Sequence, residues 1–325
     1  MSDHLSAFVA EIPRPETARK GLFKSVLLSM RPHQWVKNLF VFAPLLFGQR
    51  LADLNAIGMS CAAFAVFSLL SSSLYIINDC VDAAEDRLHP EKSHRPISSG
   101  ELSIPIAVSI SVVLLICVFS VASWIGLGFL AITVSYFFLV LCYCLWFKRL
   151  IVMDCMVIAS GFVLRVVGGA IAISVVPSHW LIACAFLLAL FLAFSKRRQE
   201  MLTLSAAAMD HRKVLGQYSI TYLEQVNTIL IAASVVAYAL YTVAPETIER
   251  FGTDALIYGT VFVIYGMFRY LALINDPKLG GNPSKMLLRD HPLMITVVVW
   301  GFYNAAVIYR SLLWPAFEHL PIFSR

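Results

Sequence analysis

The feature that most constrains this chain is a series of apolar runs, each about as long as a bilayer is thick. A transmembrane helix needs about 20 mostly apolar residues. The first run is short and contains Pro44. The pattern predicts an all-α, polytopic membrane protein with about nine transmembrane helices around a central cavity, eight being the alternative. The runs are 34–50, 56–78, 103–121, 124–147, 151–176, 179–195, 226–245, 254–274 and 292–314.

Composition agrees with this class, since 59% of the residues are hydrophobic and 14% are charged. Soluble domains carry about 25% charged residues. The 7 cysteines lie mostly in apolar runs, and their odd number argues against a disulfide framework. No secretory signal pattern, P-loop, dinucleotide-binding glycine pattern or zinc spacing is present, and nothing indicates a nucleic-acid partner. We expect a polar segment at 1–33 and a single transmembrane domain at 34–325.

The basic residues predict the orientation of the chain. With the amino terminus inside, 19 of the 25 lysines and arginines fall in inside segments, 4 fall outside and 2 lie within spans. Such a bias marks the cytoplasmic side. Two long segments, at about 79–102 and 196–225, are then cytoplasmic loops, and chemistry is expected there. The basic residues outside are Arg50, Arg250, Arg310 and Arg325.

An acidic motif follows the second run, where charged groups are costly and usually functional. On a continuous helix, Asp79, Asp82 and Asp86 would share one face, with Asn78 at its border. Three carboxylates on one face repel one another unless a cation holds them. Mg²⁺ takes one or two carboxylates and completes its shell with water and phosphate oxygens. The motif therefore indicates a membrane enzyme that handles a diphosphate.

Basic residues follow the acidic motif, and others open the second long loop. Lys92 and Arg95, within the run His89–Gly100, have the character of a phosphate clamp beside a metal site. The second long loop opens with Lys196, Arg197 and Arg198, and Glu200 lies four residues after Lys196. These cations are either a topology anchor, with Glu200 paired to Lys196, or phosphate ligands.

Two further cations fall inside apolar runs. A mid-span guanidinium such as Arg165 costs at least about 2.5 kcal/mol unless it is paired or hydrated. Asp154 is too far along one helix to be its partner, which leaves an anionic substrate or an interhelical pair. Lys37 either snorkels to the interface or reaches a phosphate. Tight helix packing near Arg165 is expected at Gly161, Gly168 and Gly169.

These motifs resemble those of the UbiA superfamily of intramembrane prenyltransferases over roughly 25–315. Members have about nine helices around a central cavity and an NDxxDxxxD motif after the second helix, which Asn78, Asp79, Asp82 and Asp86 match. Members that use a prenyl diphosphate carry a second aspartate motif after the sixth helix. Here that place holds Lys196–Glu200. The exchange of carboxylates for cations favours phosphate charge that is held by protein rather than by metal.

Within the superfamily the chain is similar to the decaprenyl-phosphate phosphoribosyltransferase branch. The shared marks are the stretches Arg31–Asn38, His89–Gly100 and Lys196–Glu200. The branch transfers 5-phosphoribose from phosphoribosyl pyrophosphate to a polyprenyl phosphate and releases pyrophosphate. The resemblance also implies Mg²⁺ as cofactor, contact with membrane lipid and a place in a bacterial inner membrane, with the active-site loops in the cytoplasm.

The resemblance implies a role for each candidate residue. Asp79 and Asp82 would hold Mg²⁺ on the donor diphosphate, with Asp86 in support and Asn78 orienting the group. Lys92 and Arg95 would close the loop over the site. Donor phosphates would be held by Lys196 and Arg197, and Glu200 would contact a ribose hydroxyl or position Arg197. The acceptor phosphate or the donor diphosphate would be bound by Lys37 and Arg165.

Two rival functions remain open. An aromatic prenyltransferase of the same fold would transfer a prenyl group from its diphosphate, and it predicts acidic residues in the second loop. A carrier or flippase for a polyprenyl-linked ion would suit Arg165 and the glycines. It suits the acidic motif less well.

Overall fold

A computed structural model describes residues 21–88, 92–203, 214–274 and 289–310. These residues form helices and connecting turns, with no β-strand among them. Five segments are 3₁₀ helices: Pro32–Phe42, Lys92–His94, Phe147–Arg149, Leu215–Gln217 and Ala255–Gly259. The α-helices are α1 Leu22–Met30, α2 Ala43–Phe47, α3 Leu54–Val81, α4 Ala83–Arg87, α5 Ile104–Ile125, α6 Leu127–Leu145, α7 Met153–Ala172, α8 His179–Thr203, α9 Ile220–Val243, α10 Pro245–Phe251, α11 Thr260–Ile274 and α12 His291–Ile308.

Eight helical segments in the described ranges are long and apolar enough to cross a membrane, namely α3, α5, α6, α7, α8, α9, α11 with the 3₁₀ turn before it, and α12. Each corresponds to one of the last eight predicted runs. The prediction of an all-α, multi-pass membrane protein is confirmed.

The first predicted run, 34–50, does not form one α-helix. Arg31 has a left-handed backbone (φ 53°), and the 3₁₀ helix Pro32–Phe42 begins directly after it. We call this helix the 3₁₀ segment. At roughly 2 Å per residue its 11 residues span about 22 Å, and α2 adds about 8 Å. Together they nearly match an apolar layer of about 30 Å. The described residues therefore contain eight helical spans, and the 3₁₀ segment with α2 is the candidate for a ninth.

The centre of the bundle is built from α3 and α7, the most buried of the eight spans. Helix α7 packs against the 3₁₀ segment, α3, α6 and α8. A Cβ atom on Gly169 would collide with the backbone carbonyl of Val41, and one on Gly168 would press on the ring of Phe67. The predicted close packing is thus confirmed at these two glycines. It holds the 3₁₀ segment directly against α7.

Two connections show how the chain turns between spans. Gly126 alone separates α5 from α6, and its φ of 149° is one that residues with a side chain rarely adopt. Asp290 caps α12 by accepting a hydrogen bond from the Leu293 amide. The Arg269 guanidinium donates to Asp290 and lowers the pKa of that carboxyl.

Candidate active site

The acidic motif lies where α3 ends and the chain breaks direction. Helix α3 ends at Val81, and α4 begins after Asp82, whose backbone (φ −88°, ψ 5°) interrupts the helix. Backbone hydrogen bonds from the Asp82 amide to the Asn78 carbonyl and from the Asp86 amide to the Asp82 carbonyl continue across this break. The shared face of the three aspartates stays a prediction. Asp79 and Asp86 are buried, whereas the Asp82 side chain keeps 20% of its surface exposed.

Two arginines and a lysine hold the buried pair. Arg31 Nη2 lies 2.6 and 2.8 Å from the two carboxylate oxygens of Asp79. Arg95 Nη1 donates to both carboxylates, at 3.0 Å to Asp79 and 2.5 Å to Asp86. Lys92 Nζ is 3.6 Å from the second oxygen of Asp86. Charge-assisted hydrogen bonds thus link three segments of the chain at this site.

Asp82 has a different partner. Lys148, on the 3₁₀ turn after α6, places Nζ 2.8 and 3.1 Å from its two oxygens. Among the described residues Lys148 is its one ion-pair partner, and its exposure makes Asp82 the most accessible of the three aspartates.

A second cluster is centred on Arg197. Its Nε lies 2.6 Å from Asp154 Oδ2, its Nη1 lies 2.7 Å from Glu200 Oε2, and its Nη2 lies 3.4 Å from the Tyr143 hydroxyl. Arg197 is only 1% exposed, so its guanidinium faces protein groups. Lys196 is 44% exposed, with Nζ 3.7 Å from Glu200.

These residues are helical, although a loop was expected from residue 196. Helix α8 continues to Thr203, well beyond the apolar run. The pairs formed by Glu200 with Arg197 and Lys196 are three and four residues apart, a spacing that supports a helix. Lys196, Arg197 and Arg198 are therefore held in the last turns of α8.

Asp154 is also held by Tyr218, which directly follows the 3₁₀ turn Leu215–Gln217. The Tyr218 hydroxyl donates to Asp154 Oδ1 at 2.7 Å and accepts from the Val152 amide at 2.7 Å. Burial raises the pKa of Tyr218, which keeps the hydroxyl protonated for this bond. Val152 has a φ of 67°, an unusual conformation for a β-branched residue. The Tyr218 contact fixes the strained entry to α7.

The end of α6 joins the two clusters. Tyr143 contacts Arg197, and Lys148, five residues later, contacts Asp82. Cys144, which lies between them, is within electrostatic range of Asp79 and Asp82. Both clusters therefore lie at the same end of the bundle, on either side of the end of α6.

Arg165 and Lys37 lie deeper in the bundle. Arg165 donates from Nε to Asn38 Oδ1 (2.6 Å), from Nη1 to the Gly161 carbonyl (2.9 Å) and from Nη2 to the Tyr136 hydroxyl (2.6 Å). Its guanidinium also lies 4.7 Å from the centre of the Tyr136 ring. Within the described ranges, neither Arg165 nor Lys37 has a carboxylate within ion-pair distance.

Asn78, the segment 89–91 and Arg31 are the other residues at or near the acidic motif. The Asn78 side chain makes no hydrogen bond to any residue the structure describes, and it is partly exposed beside Asp79. Residues 89–91 of the predicted clamp lie outside the described ranges. Arg31 was given no role from the sequence, although it begins the shared stretch Arg31–Asn38. Its position one residue before a proline offered no sign that it would reach Asp79.

The model of the UbiA prenyltransferase family matches residues 40–289. The chain belongs to this family. The matched range begins within the 3₁₀ segment and ends just before α12, so it contains the three aspartates and the Arg197 cluster but not Arg31. The predicted superfamily membership is confirmed.

Two similar UbiA relatives are named decaprenyl-phosphate phosphoribosyltransferase. The one from Corynebacterium glutamicum is 33% identical, covering 89% of this chain and 88% of the relative. The one from Mycolicibacterium smegmatis is 30% identical, covering 90% and 95%. A solved UbiA homologue from Archaeoglobus fulgidus, bound to GPP and Mg²⁺, matches with a TM-score of 0.65 at 22% identity, over 87% of this chain and 99% of that one. The latter likeness supports the fold.

Proposed function

We propose that this protein transfers 5-phosphoribose from phosphoribosyl pyrophosphate to a polyprenyl phosphate and releases pyrophosphate. The observation that carries the proposal is identity of 30–33% over about nine tenths of the chain to relatives of that one name. The site agrees chemically, because basic side chains surround every carboxylate of the motif. Such a site suits a donor with a diphosphate and a separate 5-phosphate.

The residues fit a divalent cation that binds together with substrate. No group of three acidic, histidine or cysteine side chains in the described ranges is placed to hold a metal by itself. Mg²⁺ commonly uses one or two carboxylates and takes its other oxygens from water and phosphates. Asp79 and Asp82 would hold it here, and Lys148 must then leave Asp82. When bound, the cation offsets the charge of the departing diphosphate.

The residues around the motif bind and orient the donor. Asn78 has a free amide beside Asp79 and hydrogen-bonds the diphosphate. Arg95 and Lys92 supply charge from the neighbouring loop and close over the site, while Asp86 fixes the position of Arg95 through their 2.5 Å contact. The donor is thereby held with its anomeric carbon exposed.

The second cluster recognises the rest of the donor. Lys196 is the exposed cation of this cluster and binds the 5-phosphate. Arg197 is too buried to reach a phosphate, so its role is to position Glu200. Glu200 is 22% exposed and accepts a hydrogen bond from a ribose hydroxyl. This positioning role replaces the phosphate contact that the sequence predicted for Arg197. Of the two roles expected for Glu200, we retain the contact with a ribose hydroxyl.

The chemistry requires no strong general base, because the acceptor phosphate is already anionic. The transition state has oxocarbenium character at the anomeric carbon. Positioning of the two substrates and electrostatic stabilisation of the leaving group supply most of the rate. The apolar surfaces of the helices accommodate the prenyl chain.

The same proposal includes a place in the cell. The protein lies in a bacterial cytoplasmic membrane, with the end of the bundle that carries both clusters facing the cytoplasm. The distribution of lysine and arginine supports this orientation. The donor is water-soluble and charged, so it reaches the site from the aqueous side.

A transfer assay on purified protein in detergent tests the function. The protein is given ribose-labelled phosphoribosyl pyrophosphate, polyprenyl phosphate and Mg²⁺. We expect an organic-soluble labelled product that is lost on chelation. No such product, together with transfer of a labelled prenyl group from prenyl diphosphate to an aromatic acid, would reject the proposal in favour of the aromatic prenyltransferase.

A further inference from the structure

A group of cations deep in the bundle has more positive charge than the surrounding protein neutralises. Lys37 is within electrostatic range of both Arg165 and Arg31. Arg31 is paired with Asp79, whereas the described residues offer no carboxylate to Lys37 or Arg165. Two positive charges are therefore left without a counterion. A buried, uncompensated charge is costly, which indicates that an anion completes this place.

The fold holds Arg165 rigidly in spite of this cost. Three of its N–H groups donate to Asn38, Gly161 and Tyr136, all of them neutral partners. Asn38 is fixed in turn by a 3.0 Å hydrogen bond to Ser68. These contacts satisfy the guanidinium geometrically without removing its charge. Arg165 thus supplies a fixed positive potential. Lys37, within electrostatic range of Arg165, supplies a cation whose donors have no partner among the described residues.

Tyr75 belongs to the same cluster as Arg165 and Arg31. The Arg31 guanidinium lies 5.0 Å from the centre of its ring, and Tyr75 is also within electrostatic range of Arg165. Its hydroxyl makes no hydrogen bond to any residue in the described part of the chain. Lys37 and Tyr75 therefore share Arg165 and Arg31 as neighbours, and each carries a donor without a partner among the described residues. Two such donors in one basic cluster suit the binding of a phosphate oxygen.

The depth of the cluster favours a ligand that arrives through the membrane. Tyr75 lies one turn before Asp79 on α3, and Arg165 lies twelve residues after the start of α7, about 18 Å along that helix from the end that carries Asp154. A phosphate on a membrane-embedded chain can reach this depth from the side. The donor diphosphate instead belongs with the carboxylates at the aqueous end.

We propose that Lys37 and Tyr75, with Arg165 behind them, bind the phosphate monoester of the acceptor lipid. The proposal rests on the transferase function and assigns one of its two substrates to this cluster. An oxygen of the acceptor phosphate forms a bond to the anomeric carbon while the bond from that carbon to the diphosphate oxygen breaks. The pyrophosphate leaves with the electron pair, and no proton is exchanged. Arg31 lies between the two sites, since it contacts Asp79 and Tyr75.

The first test is equilibrium binding in the absence of donor and metal. Full-length protein in nanodiscs is titrated with farnesyl phosphate and with farnesol, with a chelator present, and tryptophan fluorescence is followed. We expect the wild type to prefer the phosphate. Lys37→Met should reduce that preference about tenfold or more, the effect of losing one hydrogen bond to a charged group. Lys37→Arg should retain most of it.

Matched variants control for general effects. Lys24 is an exposed lysine on α1, and Lys24→Met should bind farnesyl phosphate like the wild type. Tyr75→Phe removes only a hydroxyl, so it gives a second test if Lys37→Met does not fold. Wild-type affinity for farnesyl phosphate in folded Lys37→Met and in Tyr75→Phe would overturn the proposal. Equal wild-type affinity for phosphate and alcohol would also overturn it.

The kinetic test separates this site from the function as a whole. Lys37→Met should raise the KM for polyprenyl phosphate about tenfold or more and leave the KM for the donor within about twofold. A raised donor KM with an unchanged acceptor KM would contradict the assignment. Lys37-dependent binding of farnesyl phosphate without any phosphoribosyl transfer would reject the function and keep the anion site.

Discussion

At the scale of single residues, the main finding is that every carboxylate of the acidic motif has a basic partner. Asp79 and Asp86 share Arg95, and Asp82 pairs with Lys148. Removing one partner of a buried ion pair leaves a charge without compensation, which is strongly unfavourable. The pairing explains how three acidic groups are tolerated at the edge of the membrane before any substrate is bound.

Asp82 is the residue whose replacement should most selectively abolish activity. It is the most accessible of the three aspartates, so Asp82→Asn should lower turnover about 100-fold or more while the protein stays folded. Glu85→Gln, at an exposed neighbouring position, should retain wild-type turnover. The checks are Mg²⁺-dependent turnover and thermal unfolding of both variants. Normal turnover in folded Asp82→Asn would contradict the metal assignment.

Lys148 should compete with a metal for Asp82. Without donor, Lys148→Met should tighten Mn²⁺ binding up to about fivefold, the worth of a partly exposed ion pair. Electron paramagnetic resonance of free Mn²⁺ measures this directly. Arg149→Met, at the adjacent exposed position, serves as the control and should have no effect. Unchanged or weaker Mn²⁺ binding in Lys148→Met would show that the pair does not limit access to Asp82.

The candidate active site could be predicted only in part from the sequence. Residue type and spacing identified the aspartates and the cations, because charges in or beside apolar runs are conspicuous. The partners could not be assigned, since Arg31 and Lys148 reach the motif from 48 and 66 residues away. The burial of Arg197 was equally hidden, because it depends on how α7 and α8 pack.

At the scale of helices, the eight spans could be predicted from hydropathy because each is long and apolar and is bounded by polar residues or, between α5 and α6, by Gly126. The first run could not. It contains Pro44 and follows Pro32, and its 3₁₀ form depends on contact with α7 at Gly169, which no local pattern reveals. The extension of α8 to Thr203 likewise follows from ion pairs within a polar stretch that hydropathy does not count.

Gly169→Ala should disturb the packing of the 3₁₀ segment on α7. The new methyl group would meet the Val41 carbonyl, and such overpacking costs about 1–3 kcal/mol of unfolding free energy. Gly58→Ala, on α3 with open space around it, should be neutral or slightly stabilising. Reversible unfolding in mixed micelles measures both variants. Equal stability of the two would show that the close approach is not needed.

Arg197 should matter for stability because it joins α7 to α8. Arg197→Met leaves Asp154 buried without its partner and should cost about 3–5 kcal/mol of unfolding free energy. Adding Asp154→Asn to the same chain should recover part of that loss, as a double-variant cycle would show. Wild-type stability of Arg197→Met would mean that Tyr218 alone suffices to hold Asp154.

At the scale of the whole molecule, one end of the bundle carries the chemistry, and its orientation can be tested. Ser99 lies at the end with the acidic motif and Ala52 at the opposite end, and both are exposed. In intact spheroplasts, a membrane-impermeant maleimide should label Ala52→Cys, and should label Ser99→Cys only after lysis. The wild-type chain gives the background from native cysteines. The reverse pattern would place the site outside the cytoplasm.

The most direct measurement of the central claim uses a donor labelled in two places, with ¹⁴C in the ribose and ³²P in the diphosphate. Purified protein with polyprenyl phosphate and Mg²⁺ should move the ribose label into the lipid phase and leave the diphosphate label in water as pyrophosphate, in equal amounts. Ribose label that stays in water, or both labels moving together into lipid, would contradict phosphoribosyl transfer at this site.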